Sequence, residues 1–321
     1  MKNVRIIGTG SYLPDNIVSN DDLSSFVETS DEWISSRTGI KNRRITTGEG
    51  TTDLAVNAAK KAVESSKINP SEIDLILVAT ISADNFTPST ACEVQKEIEA
   101  DNAMCFDINA ACSGFIFALN TATAYIKAGL AKNALVIGVE VLSRLTDWED
   151  RRTCVLFGDG SGAVVISESE EEGIIDFECK SLGKLSEYLV CGGSDLKNPY
   201  VNKETHKYIK MNGQEVFKFA CSYVPKGIKN VIEESPYNIE DIDYFVLHQA
   251  NERIINSIAK RLKIDQEKIY KNISSYGNTS SASVPIALDE MFKKNILKKG
   301  NRIIIAGFGG GLTYGVAMIT I

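Results

Sequence analysis

The sequence predicts an α/β chain built from two fused, similar halves. Three observations carry this. Strand-length apolar runs alternate with segments of helical periodicity. Two short patterns in the first half return about 169 positions later in the same order. An acidic stretch at 168–173 separates the two copies. The 321 residues, 43% hydrophobic and 24% charged, suffice for a packed core without covalent staples.

Residues 2–8 read as a strand running into a glycine turn. Residues 51–64 carry Leu54, Ala58 and Ala62 at helical spacing, with Thr51 or Thr52 as the expected cap. Residues 73–81 are an apolar run of the kind buried on both faces of a sheet, and 134–141 and 162–166 are two more. A strand-like run at 103–108 gives way to a helical run at 113–127. In the second half, SEIDLILV (71–78) is matched by EDIDYFVL (240–247), and ALVIG (134–138) by RIIIAG (302–307). Each copy then passes through a glycine-rich turn into another strand. The expected halves are 1–170 and 171–321.

The composition narrows the function. Seven cysteines are scattered without a CxxC pair, against a zinc site or a disulfide framework, and no metal is expected. No signal-peptide pattern stands at the start, so a reducing, cytoplasmic setting is expected. No apolar run reaches the ~18 residues of a membrane span. A net charge of −7 offers no support for nucleic-acid binding.

Three positions stand out as chemistry. Cys112, in NAACSGF (109–115), falls where strand gives way to helix, among small residues that admit a substrate. At a helix start the N–H groups and the dipole favour the thiolate, the nucleophilic form. His248 ends an apolar strand and opens HQAN (248–251), at the carboxyl end where α/β proteins place their chemistry. Asn278 lies in GNTSSAS (277–283), a small polar loop before a helix with Pro285 in its first turn. Singly, each has a bland explanation: a buried thiol, a structural histidine, a turn-forming asparagine. His206, in a lysine-rich loop, has no such context.

Together the motifs resemble the ketoacyl-ACP synthase III family of the thiolase superfamily. The resemblance includes GFGGG (307–311), TSDEWI (29–34), RTGI (37–40) and FGDGSGA (157–163), in collinear order across the chain. It implies a five-layered α-β-α-β-α fold of two duplicated halves, assembled as a homodimer. It implies a Cys112–His248–Asn278 triad that initiates type II fatty-acid synthesis. An acyl-CoA acylates Cys112, and decarboxylative condensation with malonyl-ACP gives a 3-oxoacyl-ACP, with no cofactor. The N–H groups of Cys112 and Gly310 would form the oxyanion hole. Thr29, Trp33, Arg37 and Arg151 would bind CoA, with Arg152 an alternative to Arg151. Leu142, Phe157 and Leu189 would line the acyl pocket, with Phe86 closing that of the partner subunit. Lys218, Arg253, Lys260 and Arg261 form a basic patch for the acyl carrier protein. The last three sit beside the stripe Ile254, Ile255, Ile258 and Leu262 on the helix expected at 252–263. A secondary-metabolite acyltransferase and a non-catalytic carrier-binding partner are the competing expectations.

Overall fold

A computed structural model describes residues 2–321. Its first sheet comprises β1 (Asn3–Tyr12), β2 (Leu75–Ala79), β3 (Met104–Ile108), β4 (Asn133–Glu140) and β5 (Gly160–Ser169), in the order β1-β5-β4-β2-β3. The second comprises β6 (Ile174–Ser181), β7 (Tyr244–Leu247), β8 (Arg302–Gly309) and β9 (Thr313–Thr320), in the order β7-β8-β9-β6. The helices that matter here are α1 (Asp31–Thr38), α2 (Thr51–Ser66), α3 (Thr90–Glu97), α4 (Gly114–Lys127), α5 (Gly213–Glu233), α6 (Glu252–Leu262) and α7 (Ser283–Lys293).

The repeat read in the sequence is also a repeat of register. Leu75 pairs with Ala134 across a parallel ladder, and 169 residues on Tyr244 pairs with Ile303 in the same sense. Both ladders continue into an antiparallel strand, β5 or β9. The halves differ in two places. The connection before that strand spans 141–159 in the first half and only 310–312 in the second. Where the first sheet has β3, the second has a single bridge from Phe245 to Ile269. The strands of the first sheet precede residue 170, those of the second follow 173, and the acidic stretch turns between β5 and β6.

Side-chain alternation in the central strands sorts the core into layers. Ile76, Val78, Leu135 and Ile137 pack outward with Leu54, Ala58 and Ala62 of α2. Leu75, Leu77 and Val136 face inward, where Phe115 and Leu119 of α4 and Leu288 of α7 also meet Ile303 and Ile305 of the second sheet. Phe245, Ile304 and Ala306 face the opposite side, with Val224 of α5 and Ile255 of α6. The layers are helix, sheet, helix, sheet, helix, with α4 and α7 in the middle.

The cap of α2 differs from expectation. Gly50 is its N-cap, and neither threonine side chain caps it. The N–H groups of Thr51 and Thr52 donate instead to Asp84, at 3.1 and 2.8 Å, and the Thr51 hydroxyl donates to the Ser82 carbonyl. A carboxylate from a neighbouring loop is a stronger acceptor at a helix start than the chain's own hydroxyl.

Candidate active site

Each central helix begins with the same device. Before α4, a one-turn 3-10 segment spans Ala111–Ser113, and Ala111 has φ +46°. Before α7, the equivalent segment spans Ser280–Ala282, and Ser280, 169 residues later, has φ +49°. A left-handed residue with a side chain costs about 1–3 kcal/mol and persists only where its surroundings enforce it. The first turn carries Cys112, and the second follows Asn278. Each sheet presses a strand against the opposite turn. A Cβ on Gly309 would stand 2.8 Å from the Cys112 amide nitrogen and 3.1 Å from its sulfur. One on Gly138 would stand 2.3 Å from the Ser281 carbonyl oxygen. Only glycine permits both approaches.

His248 and Asn278 are buried beside this point. The His248 Nδ1 lies 2.7 Å from the Ser283 hydroxyl, at the start of α7, and the ring meets Phe308 edge-on at 5.0 Å. With the hydroxyl donating to Nδ1, the imidazole proton sits on Nε2. Burial pushes the His248 pKa down to about 3, so the ring is neutral at physiological pH. Asn278 spends its Oδ1 on the Ser280 N–H at 2.8 Å, leaving its Nδ2 group as the free donor. Its backbone is held by the long connection of the first half: its N–H donates to the Leu156 carbonyl, and its carbonyl accepts from Gly158.

Cys112 departs from the expected thiolate. Burial, with a smaller contribution from the Glu140 charge, pushes its pKa up to about 12, and Ser280 offsets part of this. The rise from 9.0 amounts to roughly 4 kcal/mol. A helix terminus returns at most about 2 kcal/mol. Burial therefore prevails over the helix start, and it favours the neutral form of the Cys112 thiol as it does of the His248 imidazole.

All of this opens on one cavity of about 800 Å³. Cys112, His248, Asn278 and Gly310 line it. So do Leu142, Phe157 and Leu189, the residues expected at the acyl pocket, and also Phe86, the residue expected at the partner subunit's pocket, which here borders the cavity of its own chain. Leu142 and Phe157 are buried in an apolar cluster with Ile209, against which Leu189 and Cys191 pack. Phe86 borders the cavity while 92% exposed.

The expected CoA residues lie together on α1 and its neighbours. The guanidinium groups of Arg37 and Arg151 stand 4.6 and 4.7 Å from the Trp33 ring centroid. Arg152 pairs instead with Asp150, so Arg151 is the arginine at the tryptophan. The Thr29 hydroxyl is buried and has no hydrogen-bond partner among the described residues. Asn251, which lines the cavity, donates to the Arg37 carbonyl and ties α1 to the cavity mouth.

The basic residues of α6 divide. Ile254, Ile255, Ile258 and Leu262 are buried as expected, and the helix ends at Leu262. Lys260 is exposed, whereas Arg253 donates to the Ser36 carbonyl at the end of α1. Arg261 donates to the Cys221 carbonyl at 2.9 Å, which Pro225 inside α5 leaves without its helical partner. Lys218 pairs with Glu215. His206 lies outside this cavity, against Lys210.

Sequence reasoning missed Glu140, Ser280, Ser283 and Gly309. The 169-residue spacing could have found two of them, because Glu140 and Gly309 end equivalent strands. The serines carry no sequence signal apart from standing in the Asn278 loop.

Fold and constellation together define the class of condensing enzymes that work through a cysteine thioester. Two family models match, "3-Oxoacyl-[acyl-carrier-protein (ACP)] synthase III" over 106–183 and its C-terminal counterpart over 232–321. The beta-ketoacyl-[acyl-carrier-protein] synthase III of Clostridium acetobutylicum is 56% identical over 98% of both chains. The crystal structure of 3-oxoacyl-[acyl-carrier-protein] synthase III from Aquifex aeolicus superposes with a TM-score of 0.94 at 46% identity, covering 99% of this chain and 100% of that one. That of the Thermus thermophilus synthase III gives 0.93 at 38%, covering 99% of each. The chain belongs to the 3-oxoacyl-[acyl-carrier-protein] synthase III family.

Proposed function

We propose that this chain catalyses the initiating condensation of type II fatty-acid synthesis, joining an acyl-CoA to malonyl-ACP with Cys112, His248 and Asn278 as the reacting constellation. The observation that carries this is the single cavity in which a thiol, an imidazole and an amide meet an apolar wall.

The Cys112 sulfur attacks the acyl-CoA carbonyl, and the oxyanion is received by the N–H groups of Cys112 and Gly310. The carbon–sulfur bond to CoA breaks, and the thiol proton ends on the departing CoA. Malonyl-ACP then enters. Its carboxylate leaves as CO2, and the enolate oxygen accepts hydrogen bonds from His248 Nε2–H and Asn278 Nδ2–H. A neutral imidazole suits this role, which needs a donor and not a cation. The enolate carbon attacks the acyl thioester, and the expelled Cys112 thiolate takes up one proton. Loss of CO2 drives the step, so the proposed reaction requires no resident metal or cofactor.

Trp33, Arg37, Arg151 and the free hydroxyl of Thr29 are proposed to hold the CoA nucleotide, since aromatic and guanidinium planes both suit an adenine with phosphates. Lys260 and Arg253, flanking the helix that begins at the cavity mouth, are proposed to meet the acidic carrier protein, with Lys218 and Arg261 at the rim of that surface. A homodimer is supported by β3, whose outer edge is unpaired among the described residues, and by Phe86, too exposed for a phenylalanine at rest. No helix among the described residues is long and apolar enough to cross a membrane. The seven free cysteines fit the cytoplasm as the proposed compartment.

The test is sequential. Acyl-CoA alone should add one acyl group to the Cys112 peptide, read by mass spectrometry. Malonyl-ACP should then release CO2 and 3-oxoacyl-ACP. A chain that is not acylated, or an acyl-enzyme inert to malonyl-ACP, would overturn the proposal.

A further inference from the structure

We infer that Glu140 is a positioning residue for the decarboxylating half of the reaction: through Ser280 and Ser281 its carboxylate holds the turn that aims Asn278. The inference rests on the condensing reaction proposed above.

Glu140 ends β4 and is fully buried, yet its hydrogen-bond partners are all neutral. Its Oε2 accepts from the Ser82 hydroxyl at 2.7 Å, the Ile81 N–H at 3.1 Å and the Thr80 hydroxyl at 3.3 Å. Its Oε1 accepts from the hydroxyls of Ser280 at 3.1 Å and Ser281 at 3.3 Å. An interior carboxylate is costly unless well supplied with donors. Here four donors and a share of the Ser281 proton converge on it, from two loops that belong to different halves of the chain.

The second of those loops is the one under strain. Ser280 is held at φ +49°, and in that conformation its N–H meets the Asn278 Oδ1 at 2.8 Å. This bond decides which end of the amide is free for the substrate. The single Ser281 hydroxyl proton is shared, mainly with the Ala79 carbonyl at 2.9 Å and more weakly with Glu140 at 3.3 Å, so the turn is gripped from β2 by Ser281 and from β4 chiefly by Ser280. The duplication shows the contrast. At the equivalent strand end, Gly309 carries no side chain and leaves room for Cys112. Glu140 instead fills that space and fastens the opposite turn.

The carboxylate has a second, opposing effect. Burial pushes the Glu140 pKa up to about 7 against the pull of its hydrogen bonds, so its charge develops near neutrality; once ionised, it raises the pKa of the Cys112 thiol, and that of the Cys191 thiol in the same cavity wall. Those two thiols are the titratable groups that feel it. Glu140 therefore assists enolate formation while disfavouring the Cys112 thiolate, and a neutral replacement should move the two in opposite directions.

The test uses the full chain bearing Glu140→Gln. CO2 release from malonyl-ACP should fall by about 10- to 100-fold, less than or comparable to removing an oxyanion donor outright. KM for malonyl-ACP should stay near the wild-type value. Alkylation of Cys112 by iodoacetamide at fixed pH should become faster. CO2 release at the wild-type rate would overturn the inference. So would a parallel fall in alkylation and decarboxylation, since general loosening gives that result. Ser280→Ala supplies an independent arm, because it removes the hydroxyl link and keeps the N–H that holds Asn278. It should slow CO2 release, and adding Glu140→Gln should then cost less than it does in the wild type. Should Glu140→Gln not fold, unchanged CO2 release by Ser280→Ala overturns the inference alone. Failure of the wild-type chain to condense would instead overturn the proposed function.

Discussion

Gly309→Ala probes the approach of β8 to the nucleophile. The added methyl carbon would lie 2.8 Å from both the Cβ and the amide nitrogen of Cys112, and 3.1 Å from its sulfur. Carbon contacts relax only near 3.5–4.0 Å, so strand and turn must separate by roughly 0.7–1.2 Å. Ala111 already holds a positive φ, and Ala111 and Cys112 are only half-buried at the cavity, so the displacement falls on the turn that carries Cys112. Misplacing a reacting group by about 1 Å costs about 10²-fold in rate, equivalent to roughly 2.7 kcal/mol in the barrier. Overpacking of this kind lowers stability by about 1–3 kcal/mol, which a domain of this size survives. The assay is the single-turnover rate of Cys112 acylation by acyl-CoA, read by intact mass, alongside a thermal melt. Gly213→Ala, elsewhere on the cavity wall, is the control: its methyl would meet nothing closer than the Met211 Cε at 3.9 Å, and the variant should acylate far faster than Gly309→Ala. If folded Gly309→Ala acylates at the wild-type rate, the reasoning from close approach is refuted.

Trp33→Ala should weaken acyl-CoA binding by about 1–3 kcal/mol if aromatic–base stacking transfers, or about 5- to 150-fold, and a short acyl thioester lacking the nucleotide should react as before; equal loss with the short donor would make Trp33 structural. Cys112→Ala should abolish acylation yet retain some CO2 release, whereas Asn278→Ala should acylate normally and lose roughly 10²–10³ in decarboxylation; the reverse pattern refutes the assigned roles. Because the Cys112 pKa is raised to about 12, thiolate gains about tenfold per pH unit below that value, so alkylation at the Cys112 peptide should climb through pH 10; a plateau near neutrality would show that burial does not govern the thiol. Lys260→Glu should raise KM for malonyl-ACP and weaken its salt dependence, with acylation from CoA unchanged; loss in both halves would remove this residue from the carrier surface.

The three candidate residues could be picked out of the sequence because each stands in a motif at a strand or loop end, and the structure brings them to one cavity; the duplication was legible because equivalent strands keep the same apolar pattern. Strand and helix existence followed from the same periodicity. The cap of α2 was not legible: Asp84, the group that satisfies it, lies more than thirty residues away. The ionisation of Cys112 was misjudged for a related reason. Sequence context supplies the helix start, but burial between two sheets is a property of packing, and it outweighs the dipole. Arg261 reads as one more surface cation until Pro225, on another helix, leaves it a carbonyl to serve.

By itself, the sequence determined the α/β class, the two-fold repeat and which residue types could react, since these depend on local pattern and side-chain chemistry. Only the tertiary structure decided how they work together. It brought Cys112 from one half against Gly309 from the other, turned the Asn278 amide by way of Ser280, and set Glu140 behind that turn. Those relations join residues that are distant along the chain, and they exist only because two sheets close on a shared pair of helices and exclude water from the space between.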